Sequence, residues 1–71
     1  MKGRIIRIGE DKIIIRPKEN FLDVVVNLLP GTKLDKNALH IEQEADIEIG
    51  SLVNVIIGGM DFFGILKCED K

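Results

Sequence analysis

The chain has 71 residues, of which 45% are hydrophobic and 31% charged, and its formal net charge is −2 at pH 7. This length predicts a single small domain over residues 1–71, with a core of modest size. The composition excludes a disordered tail, a collagen-like repeat and a disulfide scaffold, and the slight excess of acids disfavours a general polyanion binder.

The first half of the chain predicts three strands. Residues 3–8 and 12–16 are rich in isoleucine and are separated by a short polar turn, which indicates a β-hairpin. Residues 22–28 carry an apolar side chain at every even position, which predicts a third strand with that side facing inward. Pro17 and Pro30 are expected to end the second and third strands.

The second half predicts two more strands. Residues 52–57 and 62–67 are rich in β-branched and aromatic side chains, and Gly58-Gly59 between them indicates a tight hairpin. Gly64, in the middle of the fifth strand, suggests a bulge or a sharp bend.

The segment 41–49 fits two structures. Its apolar and acidic residues alternate, as in a strand, but Ile41, Ala45 and Ile49 are also spaced by four, as in a helix. We favour the extended interpretation. Five strands and a loop-rich centre then predict an all-β fold with at most one short helical turn, in the form of a small five-stranded OB-like barrel; an SH3-like barrel is the alternative.

One run of sequence supports the OB-like fold. Gly3 and Ile5 open the first strand, and the later run is Asp46-Ile47-Glu48-Ile49-Gly50-Ser51-Leu52-Val53-Asn54-Val55. This order resembles small OB-like barrels of bacterial proteins of unknown function, in which a hydrophobic pair before a glycine leads into the fourth strand. The resemblance covers nearly the whole chain as a pattern and implies the fold, but it implies no functional residues. Tyrosine and tryptophan, which form stacking platforms in single-strand-binding OB domains, are absent here.

Charge is distributed unevenly along the chain. Residues 1–36 hold 8 bases and 5 acids, whereas residues 37–71 hold 2 bases and 7 acids. The bases of the first hairpin could follow a phosphate backbone, or they could keep a strand face in solvent, and we favour the second interpretation. The candidate nucleic-acid contacts are Arg4, Arg7, Lys12, Arg16 and Lys18.

The residue types that carry catalysis or bind metals are scarce. The chain has one His, one Ser and one Thr, with no phosphate-binding loop and no calcium-binding motif. The acids Glu42, Glu44, Asp46 and Glu48 alternate along the chain, so in a strand they would lie ~6–7 Å apart and would not form a cage by themselves. We therefore predict no enzyme, no metal site and no cofactor.

The single cysteine, Cys68, cannot form an intrachain disulfide, which favours a cytoplasmic location, although export of a longer precursor is left open. Apolar runs of at most three residues predict no membrane span.

The third strand predicts an apolar stripe on its outer side. Phe21, Val25 and Leu29 occupy odd positions there, and one of the adjacent Phe62 and Phe63 must face outward in a regular strand. The competing interpretation is that a bulge at Gly64 turns both inward and that residues 38–49 cover the stripe. The candidate protein interface is Phe21, Val25, Leu29 and Phe62.

These features predict a non-enzymatic binding or assembly module. We expect its partner to be another protein or a second copy of the chain. The alternative is a single-stranded nucleic-acid or ribosome-associated OB-type binder that uses the basic first hairpin.

Overall fold

The computed structural model describes residues 1–19 and 22–67, and these residues form an all-β structure without a helix. The strands are β1 (Lys2–Ile8), β2 (Lys12–Pro17), β3 (Val24–Leu28), β4 (Glu44–Ile49), β5 (Val53–Ile57) and β6 (Met60–Leu66). They form a closed barrel in the order β1-β2-β3-β6-β5-β4, with β4 returning to β1 and every neighbouring pair antiparallel. The predicted small β-barrel is therefore confirmed, but it has six strands instead of five.

The barrel consists of two three-stranded meanders. The strands β1, β2 and β3 form one, and β4, β5 and β6 form the other. The tight turn between β5 and β6 is made by Gly58 and Gly59, whose φ angles are +56° and +83°. Two successive residues with positive φ are what a two-residue hairpin of this twist requires, so the predicted hairpin is confirmed.

The additional strand is β4, in the segment whose spacing fitted both a strand and a helix. Its residues pair on both sides, because Asp46 lies opposite Lys2 of β1 and opposite Ile56 of β5. Ala45 and Ile47 point into the core, whereas Ile41 and Ile49 are exposed. The extended interpretation was correct, since residues 44–49 pair as a strand with both β1 and β5; Ile49 has the parity of Ala45 and Ile47 but is exposed at the end of β4.

The core is formed by inward-facing residues from all six strands and by Leu39 of the β3–β4 connection. Its members are Ile5, Ile13, Ile15, Val26, Leu28, Leu39, Ala45, Ile47, Val53, Val55, Ile57 and Phe62. The described residues include no buried charged or polar residue. Hydrophobic burial is thus the main term that stabilises the barrel.

One expectation about chain positions was wrong, and the predicted end of β2 moves by one residue. Leu22 was expected to face inward, but it is 75% exposed, because β3 begins at Val24 and the preceding residues do not continue its alternation. Pro17 does not lie beyond β2; it is the last residue of that strand and lies opposite Gly3. A terminal position suits proline, since no further ladder bond depends on its missing N–H.

Phe62 and Phe63 point to opposite sides of the sheet, as the alternation of a strand requires. Phe62 is buried in the core, whereas Phe63 is 44% exposed on the outside. Gly64 does not turn both rings inward. It faces the interior at a point where β6 passes close to the backbone of β3.

Candidate functional site

The outer side of β6 carries two large, exposed apolar side chains. Phe63 and Ile65 occupy successive outward positions, and Ile65 is 58% exposed. Alternate residues of a strand lie ~6–7 Å apart on the same side, so the two side chains form one continuous surface. This surface lies on a strand that pairs along both sides, which fixes its orientation.

The neighbouring strands add apolar and neutral groups to this surface. Asn54 of β5 lies opposite Phe63, and Asn27 of β3 lies opposite Ile65. The N–H of Leu29 donates to the carbonyl oxygen of Phe63 at 3.0 Å, so the half-buried Leu29 is adjacent to Phe63. We call Leu29, Phe63 and Ile65, with the two flanking asparagines, the β6 face.

Asn54 has an unsatisfied polar atom beside Phe63. Its Oδ1 is hidden from solvent and accepts no hydrogen bond from the described part of the chain. A buried acceptor without a donor costs roughly 1–3 kcal/mol. The β6 face therefore has a local cost that a nearby donor would remove.

The residues that the sequence predicts for the interface do not share one exposed surface in the structure. Val25 is on the outer side of β3, opposite Ile14, but only 7% of it is exposed. Phe62 belongs to the core, so Phe63 is the ring that a partner could contact. Phe21 lies outside the described residues. The predicted stripe thus retains Leu29 and extends to Phe63 and Ile65 on the neighbouring β6.

Sequence analysis missed this extension because Phe63 and Leu29 are far apart in the chain. The signal that could have found it is the alternation of β6 itself, which places Asp61, Phe63 and Ile65 on one side. The alternation alone does not show which of the two sides of β6 faces the core. The antiparallel pairing of β3 with β6 decides which apolar residues become neighbours.

The predicted basic strip lies on the opposite meander, where acids accompany it. Arg4 of β1 is opposite Arg16 of β2 on one side and opposite Glu44 of β4 on the other. Three of its cations form ion pairs: Arg4 with Glu42 at 3.6 Å, Arg16 with Asp23 at 3.0 Å, and Lys18 with Glu44 at 3.2 Å. The basic first half and the acidic second half of the chain therefore meet within one molecule.

These ion pairs shift two titrations in the expected directions. The side-chain hydrogen bond from Lys18, together with its charge, lowers the pKa of the Glu44 carboxyl. The hydrogen bond and charge of Asp23 raise the pKa of Arg16. Arg7 and Lys12 take part in none of the ion pairs found within residues 1–19 and 22–67. Only these two of the five candidate nucleic-acid contacts have no acidic partner there.

The acidic residues of the 42–48 segment do not form a metal site in the described structure. No group of three or more metal-binding side chains is present in residues 1–19 and 22–67. Glu42 and Glu44 face bases instead, and Asp46 lies 3.2 Å from the terminal ammonium of Met1. Within the same part of the chain, no helix is long and apolar enough to cross a membrane.

Comparisons with known proteins supply no relative for this chain. No family model matches it, and no curated protein or solved structure is significantly similar to it. The β6 face and the charged surfaces are therefore the features from which a function can be proposed.

Proposed function

We propose that the chain is a non-enzymatic protein-binding or assembly module whose partner contacts the β6 face. The observation that carries the proposal is the pair Phe63 and Ile65, which are 44% and 58% exposed side by side on a strand that is paired along both sides. Adjacent exposed apolar side chains of this size are typical of interaction surfaces.

The closed barrel favours recognition through side chains. An open sheet can bind a peptide by adding it as another strand, but here each of the six strands pairs with two neighbours. A partner must therefore pack against the outer side chains. Phenylalanine and isoleucine supply contact area, and the carboxamides of Asn27 and Asn54 supply hydrogen-bonding groups at its edges.

The expected contribution of each anchor is moderate. Burying a large apolar side chain completely is worth about 1.5–3 kcal/mol, so a side chain that is already half covered gains roughly half of that. Removing the Phe63 ring should weaken binding by about tenfold, since 1.4 kcal/mol corresponds to a factor of ten.

The test uses the purified chain, immobilised at low density, to retain binding proteins from a cell extract that are then quantified by mass spectrometry. Phe63→Ser is compared with Ile41→Ser, a control that removes an equally exposed apolar residue next to β1, three strands from β6. We expect a set of proteins to be retained by the wild type and the control and lost with Phe63→Ser. Equal retention by all three, with amide spectra showing that each is folded and sedimentation showing that the chain stays monomeric, would contradict the proposal.

The alternative, binding of single-stranded nucleic acid, has weaker support. It depends on the basic hairpin, where Arg4, Arg16 and Lys18 already face acids. A titration with mixed-sequence single-stranded DNA and RNA at low salt separates the two proposals. Amide shifts around Arg7 and Lys12 that disappear with added salt would favour the nucleic-acid function.

A further inference from the structure

The outward row of β6 has a charge pattern of its own. At alternate positions it reads Asp61, Phe63, Ile65 and Lys67: an acid, two apolar residues and a base. Lys67 follows the last residue of β6, but its N–H donates to the carbonyl oxygen of Val25 at 2.9 Å and so continues the ladder. Asp61 and Lys67 are exposed, and neither takes part in an ion pair with any other described residue.

We propose that the partner of the β6 face is a second copy of this chain, docked about a two-fold axis with the two β6 strands antiparallel. This inference rests on the proposed function and specifies its partner. The axis passes beside Gly64, so Phe63 of each copy packs on Ile65 of the other, and Asp61 of each copy faces Lys67 of the other.

Symmetry makes the charge pattern complementary to itself. Asp61 and Lys67 are each three residues from Gly64, or about 10 Å at ~3.3 Å per residue. Rotation about an axis at Gly64 therefore brings both acid–base pairs into alignment at once, as a self-complementary interface requires. A parallel arrangement would place acid against acid and base against base, which disfavours it.

The surroundings of the row permit this contact. The cross-strand neighbours at its centre are Asn54 and Asn27, so no like charges are forced together beside the apolar contact. Carboxamides both donate and accept hydrogen bonds.

The size of the barrel limits the strength of the dimer. The molecule measures 29 × 23 × 22 Å, so one convex side offers less than the ~800 Å² per partner of a standard interface. We therefore expect a weak dimer with a Kd on the order of 100 µM, in the range of small and transient interfaces.

Sedimentation equilibrium of the purified full chain, from about 10 µM to about 1 mM at low salt, tests this arrangement. The wild type is expected to change from monomer to dimer over this range. Asp61→Lys and Lys67→Asp should each weaken the dimer about tenfold, because each reversal makes two repulsive contacts. Lys36→Asp, which reverses an exposed charge outside the β6 face, should leave the dimer within about twofold of the wild type.

Mixing the two single variants gives the sharpest result. Asp61→Lys has bases at both ends of the row and Lys67→Asp has acids at both ends, so the antiparallel arrangement makes them complementary to each other. An equimolar mixture should form a heterodimer at least as strong as the wild-type dimer, and the doubly reversed variant should recover wild-type dimerisation within about twofold.

Two results would overturn the inference: a chain that stays monomeric at about 1 mM, or a dimer that responds to neither reversal. These failures are distinguishable from failure of the proposed function. A monomeric chain that still retains Phe63-dependent partners on the immobilised support removes the second copy as partner and leaves the binding function in place. A monomeric chain that retains none contradicts both.

Discussion

Closure of the barrel depends on a close approach between β6 and β3, and Gly64→Ala perturbs it directly. A Cβ at this position would overlap the carbonyl oxygen of Asn27 and would lie 2.9 Å from Cγ1 of Val26. The obstacle includes backbone of a paired strand, so it cannot move aside as a flexible side chain would. The two strands must separate locally, at the seam that joins the two meanders.

The expected loss of folding stability follows from this clash with the backbone of β3. Overpacking a core position usually costs about 1–3 kcal/mol, and a clash with ladder backbone belongs at the upper end, about 3 kcal/mol. The whole free energy of unfolding of a 71-residue domain is roughly 4–11 kcal/mol at 0.05–0.15 kcal/mol per residue. Gly64→Ala should therefore lower the Tm by on the order of 15 °C.

The measurements are thermal and urea unfolding, both followed by far-UV circular dichroism, since the chain has no tryptophan or tyrosine to report by fluorescence. Gly50→Ala is the matched control: its added Cβ would lie 3.6 Å from the nearest heavy atom, and its φ is not positive. We expect this control within about 0.5 kcal/mol of the wild type. If the unfolding free energies of the two variants differ by less than about 1 kcal/mol, the steric argument for Gly64 is refuted.

Two further predictions address β4 and the ion pairs around it. Ile47→Ala should destabilise the chain by about 2–5 kcal/mol in urea unfolding, whereas Ile49→Ala should change it by less than about 1 kcal/mol, because only Ile47 is buried; similar losses would show that Ile49, at the end of β4, is not exposed in solution. Lys18→Met should raise the pKa of Glu44, measured by carbon-detected NMR titration of its carboxyl, because Lys18 lowers it. The pKa of Glu44 is lower in the folded state than in the unfolded state. The ion pair therefore contributes to folding stability above the unfolded-state pKa, and this contribution is lost as the pH falls through the folded-state pKa. An unchanged pKa of Glu44 in Lys18→Met would exclude this ion pair in solution.

Local patterns determined much of the strand content. Two hairpins were predicted close to their observed bounds, because the isoleucine-rich runs and Gly58-Gly59 are short-range signals that need no distant partner. The opposite orientations of Phe62 and Phe63 were one of the two predicted arrangements, and the regular alternation of β6 selects it over a bulge that turns both rings inward.

The identity of β4 and the residue at which β3 begins could not be predicted from local patterns. The spacing of residues 41–49 fits both a helix and a strand. The strand is selected by its hydrogen-bonded ladders, one with β5, which follows after a short connection, and one with β1, which is remote in sequence. Leu22 fits the alternation of the third strand and is nevertheless exposed, because the strand begins two residues later. A hydrophobic pattern indicates the two faces of a strand, whereas the residues at which the strand begins and ends are set by its pairing with neighbouring strands.

The charged and apolar surfaces also depend partly on local sequence patterns and partly on strand pairing. The residue order alone shows that the first half is basic and the second half acidic, and it leaves two orientations open for the adjacent phenylalanines. The pairing of the strands brings the bases and acids together as Arg4–Glu42 and Lys18–Glu44 ion pairs, and it places Phe63 next to Leu29. Alternation along a strand is a local property, whereas the neighbours across a sheet are set by which strands pair when the barrel closes.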